Sequence, residues 1–264
     1  MKMRSAFTLI EMLLVIGIIG LLLSLALPAL GKTRERAREV VAMNNVRQVG
    51  STFASYATDF RAYPQRPLGT RPESGTGQPG LGIPVPPDVL FVQWWPEGTI
   101  LGVSDYWAHA WIWPGLVSRV ATWPDNYQLW VSPGRYVALP TEVADPEQLE
   151  RTVSIRYSHA FVARPELFRD GAEPDARLLA ATRPEDVQFP SRKVMLWDAD
   201  VAYLRGPLQR VGEHLDAKAP MAFPDGHVAL HNPREAQAAA PNPLRFGVAS
   251  PLHSTKDGVR GIDY

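Results

Sequence analysis

Phe7-Thr8-Leu9-Ile10-Glu11-Met12-Leu13-Leu14-Val15-Ile16 opens a run that stays almost wholly apolar to Leu30, and Glu11 is its only charged residue. About 20 apolar residues in a helix cross the ~30 Å hydrocarbon core of a bilayer. Lys2 and Arg4 precede the run and predict a cytoplasmic N-terminus. Beyond it stands Lys32-Thr33-Arg34-Glu35-Arg36-Ala37-Arg38, a polar continuation on the far side whose basic residues weigh against that charge argument. A cleavable secretory signal would have a shorter apolar core followed by a small-residue cleavage site. A bare carboxylate within the bilayer costs roughly 2.5 kcal/mol or more, so Glu11 requires either a place at the interface or a partner.

Helical spacing continues well past Leu30. Val46, Val49, Phe53, Tyr56 and Phe60 follow at intervals of 3, 4, 3 and 4 and define one apolar face, with Asn44, Arg47, Gln48, Ser51 and Ser55 on the others. Pro28 is expected to kink or loosen the helix near the outer end of the apolar run. Pro64 is expected to end it, because the residue before a proline avoids the α region. A helix from Phe7 to about Asp59 is ~80 Å long. That length suits a rod half in a membrane and half packed against a domain. Core packing against a sheet is the expected use of the Val46–Phe60 stripe.

Ser5-Ala6-Phe7-Thr8-Leu9-Ile10-Glu11 followed by Met12-Leu13-Leu14-Val15-Ile16 resembles the N-terminal cleavage and methylation signal of type IV pilins and type II secretion pseudopilins. The resemblance implies that a prepilin peptidase cuts between Ala6 and Phe7 on the cytoplasmic side and that the new amine of Phe7 is methylated. It also implies that Glu11 pairs with the terminal amine of a neighbouring subunit during filament assembly. That would provide the partner a buried carboxylate requires. The family usually has Gly before the cut, where this chain has Ala6. Pilin helices also have a proline at the place of Pro28. Loss of Lys2 and Arg4 leaves 25 basic against 27 acidic side chains, from 27 of each in the full chain.

The bulk composition fits an exported domain behind such an anchor. With 264 residues and 45% hydrophobic content the chain can bury a core. Balanced charge gives no electrostatic reason to expect nucleic acid. The absence of cysteine excludes disulfides, thiolate metal sites and cysteine nucleophiles. Twenty-five prolines and eight tryptophans suggest a loop-rich domain with aromatic packing. Pro64 to Asp88 reads as irregular. An aromatic stretch then runs from Phe91, Trp94 and Trp95 through Tyr106, Trp107, Trp111 and Trp113 to Trp123 and Trp130. It serves either core packing or a binding surface.

Val153-Ser154-Ile155-Arg156-Tyr157 alternates as a half-buried strand does. Lys193-Val194-Met195-Leu196-Trp197 is a short apolar run that leads into Asp198-Ala199-Asp200. Met221-Ala222-Phe223 and His227-Val228-Ala229-Leu230 flank Pro224-Asp225-Gly226, a turn sequence, and read as a β-hairpin. The expected fold is therefore α+β and pilin-like: a long N-terminal helix, half transmembrane, packed on an antiparallel β-sheet with long loops. The divisions are a leader over 1–6, a transmembrane half-helix over 7–30, an extramembrane half-helix over 31–62 and a soluble β-rich domain over 63–264.

Phe223-Pro224-Asp225-Gly226-His227-Val228 resembles the Asp-Gly-His hairpin of a large group of pilin-like proteins of planctomycete-type bacteria. In that group nine residues lie between a histidine and the Asp-Gly. Here ten lie between His214 and Asp225. Asn45-Val46-Arg47-Gln48-Val49-Gly50, Tyr56 and Tyr63-Pro64 resemble the end of its helix. The group supplies an architecture and no enzymatic chemistry.

Other constellations are sparser. Asp198 and Asp200 could hold calcium with backbone oxygens, as some pseudopilins do, and His214, Asp225, His227 and His231 could approach a metal. Strand positions four apart, such as His227 and His231, are ~13 Å distant and cannot share one ion. Ser158 and His159 are neighbours that a strand would point to opposite faces. Gly-x-Ser-x-Gly and phosphate-loop motifs are absent, so no enzyme is expected. No cofactor is expected beyond calcium. The expected partners are prepilin peptidase, other pilin or pseudopilin subunits and membrane lipid. The expected location is the inner membrane, single-pass, with the N-terminus cytoplasmic and the C-terminal domain periplasmic. A membrane-tethered binding module with an aromatic-rich surface is the alternative function.

Overall fold

A computed structural model describes residues 8–65, 91–95, 98–102, 104–135, 153–173, 175–204, 210–211, 214–215, 217–245 and 248–264. The leader 1–6, Phe7 and nearly all of the Pro64–Asp88 loop lie outside them.

Helix α1 spans Leu9–Phe60, 52 residues and about 78 Å. Thr8 is its N-cap, and Arg61, in the left-handed region at φ 56°, is its C-cap. The helix runs through Pro28. From Leu9 to Leu30 the large apolar side chains are all exposed. With no protein against them, these 22 residues form a rod about 33 Å long, which matches the thickness of a bilayer core.

The second half of α1 packs on the domain through Ala42, Asn45, Val46, Val49, Phe53 and Ala57, all buried. This line corrects the expected stripe beyond Phe53. Tyr56 is only half-buried and Phe60 is 41% exposed. A straight helix at 3.6 residues per turn drifts off a 3.5-residue repeat, so the buried line steps from Phe53 to Ala57. Tyr56 and Phe60 stack on each other at 4.4 Å along its flank. Asn45, polar and buried, donates from Nδ2 to the carbonyl of Gln128 at 3.3 Å. A Cβ on Gly50 would stand 3.4 Å from the Cβ of Ala222, so this glycine sets how closely helix and sheet approach.

A two-stranded hairpin of β1 (Phe91–Trp95) and β2 (Gly98–Gly102) follows, and then α2 (Ser104–Leu116) and α3 (Trp123–Trp130). The main sheet has four antiparallel strands: β3 (Ile155–Tyr157), β4 (Leu196–Asp198), β7 (Ala219–Ala222) and β8 (Val228–His231), in the order β3-β4-β7-β8. Between β4 and β7 a short pair, β5 (Arg210–Val211) and β6 (His214–Leu215), forms apart from that sheet. α1 lies across β7, β4 and β8, while α2 covers β3. The fold is α+β and pilin-like. The Met221-to-Leu230 hairpin forms as the sequence implies. Phe223 N donates to His227 O at 3.1 Å, Gly226 N donates to Phe223 O at 2.9 Å, and Gly226 takes φ +90°.

Two helices were not anticipated. Ser104–Leu116 is apolar nearly all round, so it shows no amphipathic period to read. Where its side chains are described, the aromatic stretch supplies core, the first of the two uses open to it. Tyr106, Trp113 and Trp130 are each at most 1% exposed. Phe53 sits edge-on to Trp113 at 5.5 Å and to Tyr157 at 4.8 Å, and Trp113 sits edge-on to Trp130 at 5.1 Å. Trp113 Nε1 donates to the carbonyl of Ile155 at 2.9 Å, the partner a buried indole requires.

The C-terminal segment is clasped to the start of β4. Lys193 is fully buried, and its ammonium meets the Asp263 carboxylate at 3.0 Å and the Thr255 hydroxyl. Val194 N donates to Asp263 Oδ2 at 2.8 Å, and Asp263 N donates to Arg192 O at 2.9 Å. Gly258, at φ +57°, lets the segment turn against the 165–168 helix, where an added Cβ would lie 2.8 Å from Phe168. Gly258→Ala is expected to cost about 2 kcal/mol or more from backbone strain and overpacking together, measured by urea unfolding of the full chain in detergent.

Candidate functional site

The N-terminal signal is built from the cap of α1. Thr8-Leu9-Ile10-Glu11 forms a capping box. Thr8 N and Thr8 Oγ1 both donate to Glu11 Oε2 at 2.8 Å, and Glu11 N donates to Thr8 Oγ1 at 3.3 Å. Within one chain the lone carboxylate of the apolar run is therefore already hydrogen-bonded at the helix start. This partner is additional to the interface position or neighbouring amine expected for Glu11, and the Thr-x-x-Glu pattern that announces a capping box is legible in the sequence. Ala6 and Phe7, the expected processing residues, lie outside the described residues.

The Asp-Gly-His hairpin is likewise a self-contained arrangement. His227 N donates to Asp225 Oδ1 at 3.1 Å, and His227 Nδ1 meets the same oxygen at 2.6 Å. The His227 ring stacks on Phe223 at 4.1 Å with planes 9° apart. His231 sits edge-on to Phe223 at 6.0 Å and stacks on Tyr264 at 4.3 Å. Burial, followed by the charge of His227, holds the His231 imidazole below the usual histidine range. The backbone of His214 pairs with Val211 in the separate β5–β6 ribbon.

Asp198 and Asp200 are buried in a different place. Asp198 Oδ1 accepts from the backbone N of Asp200 at 2.9 Å and of Val201 at 3.0 Å, and Oδ2 accepts from Ser132 Oγ at 2.7 Å. Asp200 Oδ2 accepts from Ser154 Oγ at 2.6 Å and is ion-paired to Arg135. The two carboxylates tie the turn after β4 to β3 and to residues 132–135. Val201, β-branched yet at φ 39°, marks that turn as strained. The structure does not bring Asp225 to them. Trp197 pairs with Met221 in the sheet, whereas Asp225 sits in the turn beyond the end of β7 at Ala222. Among the described residues no three His, Asp or Glu side chains are grouped to hold a metal ion.

Ser158 and His159 do not form a nucleophile–base pair. The Ser158 hydroxyl donates to the carbonyl of Leu252. His159 is buried between the rings of His253 at 4.1 Å and Tyr106 at 4.7 Å.

This geometry, an exposed apolar half-helix continuous with a helix packed on an antiparallel sheet, is the architecture of a pilin-like protein. Comparison with known proteins agrees. Residues 1–27 match the prokaryotic N-terminal methylation motif. Over 80 residues the chain is 31% identical to the type II secretion system core protein G of Pseudomonas aeruginosa. That match covers 30% of this chain and 56% of the relative, so the chain spans about half the length of the curated protein it matches. No solved structure matches the chain. The motif and the α1 rod fit a protein anchored in the inner membrane.

Proposed function

We propose that the chain is a structural pilin- or pseudopilin-like subunit. In this reading prepilin peptidase removes residues 1–6, Phe7 becomes the N-methylated terminus, and the apolar half of α1 holds the subunit in the membrane with its domain on the extracytoplasmic side. It assembles with other pilin or pseudopilin subunits into a type IV pilus or a type II secretion-like filament and performs no catalysis. The observation that carries the reading is a methylation motif running directly into an exposed 22-residue apolar helix. The Asp225-Gly226-His227 hairpin supports placing the chain in the planctomycete-type group. That hairpin acts there as a turn whose Asp, Gly and His each have a local bonding role.

Intact-mass measurement of the membrane-extracted protein tests the processing. The expected chain begins at Phe7, with or without an added methyl, and an intact Met1 terminus overturns processing. Assembly makes a separate prediction. Glu11 has two attractive settings: the intrachain cap seen here, and the amine of a neighbouring Phe7. A charge-assisted bond to that amine is the stronger in lipid, where water does not compete. Glu11→Ala is therefore expected to abolish co-purification of differently tagged copies while membrane retention stays unchanged. Glu11→Gln keeps the cap geometry and loses the charge. Full co-purification of Glu11→Gln would show that the carboxylate serves the cap alone.

A further inference from the structure

At the far end of the domain from the membrane rod, a cavity of about 340 Å³ opens between residues 163–166, 180–186 and 259–260. Its position follows from α1. Tyr63 N, just past the helix end, donates to Thr182 O at 2.8 Å, and Gln65 Nε2 donates to Val162 O at 3.3 Å. The end of α1 is 30 residues beyond Leu30, about 45 Å along the axis. The cavity thus faces whatever lies outside the membrane.

Three arginines line it, Arg164, Arg183 and Arg260, all exposed, together with Glu166 and Asp186. Both acids are engaged. Glu166 lies 3.8 Å from Arg169, and Asp186 Oδ2 accepts from the backbone N of Arg183 at 2.9 Å. The Arg183 side chain is shared with Glu185 at 4.0 Å. Among the described residues no carboxylate pairs with the guanidinium of Arg164 or Arg260. Thr182, 4% exposed as a whole residue, also lines the cavity and brings a hydroxyl to the same wall.

We propose that this cavity is an anion-binding site, with the guanidiniums of Arg164 and Arg260 and the hydroxyl of Thr182 receiving a carboxylate or phosphate group. A planar guanidinium presents paired N–H donors that match such oxyanions, and the hydroxyl supplies one more donor. The volume suits the end unit of an acidic polymer or one small acid. The site stands whether or not the subunit assembles into a filament.

The test uses the full chain in detergent micelles, titrated calorimetrically with galacturonate, glycerol phosphate and neutral galactose. At least one anion is expected to bind, with galactose silent. Tighter galacturonate assigns a carboxylate ligand, and tighter glycerol phosphate assigns a phosphate. R164Q/R260Q is expected to weaken binding about tenfold or more, as befits the loss of charged hydrogen bonds. T182V is expected to weaken it a few fold. Should R164Q/R260Q fail to fold, R164K/R260K decides instead, since it keeps the charge and loses the fork. Absence of binding for both anions overturns the proposal, as does undiminished affinity in the folded arginine variant.

Discussion

Replacing Asp263 by Ala should destabilise the domain by about 3–5 kcal/mol, because it strands a charged amine in the core. Lys193 is 0% exposed and Asp263 1% exposed. The carboxylate serves the ammonium at 3.0 Å and the backbone N of Val194 at 2.8 Å, and it meets the Thr255 hydroxyl. Burial alone pulls the lysine below its ordinary range, and the charge and hydrogen bond of Asp263 oppose that pull. In Asp263→Ala the opposition is gone and the amine's folded-state value falls further. The unfolded chain then binds more protons than the folded one at every pH between that value and about 10.4, so the variant's stability rises with pH through the window. Its deficit against the parent should accordingly shrink as the solution is made alkaline. Urea unfolding followed by tryptophan fluorescence at pH 7 and pH 9.5 checks both the size and the trend. The double variant Lys193→Met, Asp263→Leu should recover most of the loss, since an apolar pair leaves no buried charge unmatched. A single variant as stable as the parent would mean that the clasp does not hold the C-terminal segment.

Phe53→Ala should cost a similar amount, about 3–5 kcal/mol. This ring is 0% exposed and joins α1 to the domain by meeting Trp113 and Tyr157 edge-on. Its removal takes away transferred apolar area and leaves a void that rings anchored by other contacts fill poorly. Trp113 cannot easily follow, because its Nε1 is bonded to Ile155 O. Phe60→Ala, on the same helix at a 41% exposed position, should cost under about 1 kcal/mol. Both residues belong to the stripe read from the sequence, so the contrast between them tests the buried line ending in Ala57. The same unfolding measurement applies, with limited proteolysis near residues 61–65 reporting whether the helix end has come away.

How far the fold could be read in advance varied with the range of the interactions involved. The apolar helical run to Leu30, the helix stop before Pro64 and the Asp225-Gly226 turn depend on residues adjacent in the chain, and the helix and the turn form where they were expected. The stripe was right at Val46, Val49 and Phe53 and departed at Tyr56, because a short repeat resembles both 3.5 and 3.6 residues per turn until the drift accumulates. α2 has no legible period because its sequence is apolar on nearly every face. The Thr8–Glu11 capping box was legible and went unread. The Lys193–Asp263 clasp joins positions 70 apart, and the Arg164–Thr182–Arg260 cavity gathers three loops. Neither has any local pattern by which it could have been found.

Order along the chain was sufficient to show an apolar rod long enough to cross a membrane, its polar continuation and a hairpin domain, since hydropathy, helical period and turn chemistry are properties of short stretches. Which aromatic rings become core, which carboxylates are consumed by serines, arginine and backbone amides, and which arginines stay open to a ligand are settled only when distant segments meet. Those outcomes depend on desolvation and on competition for partners, and both exist only in the packed chain.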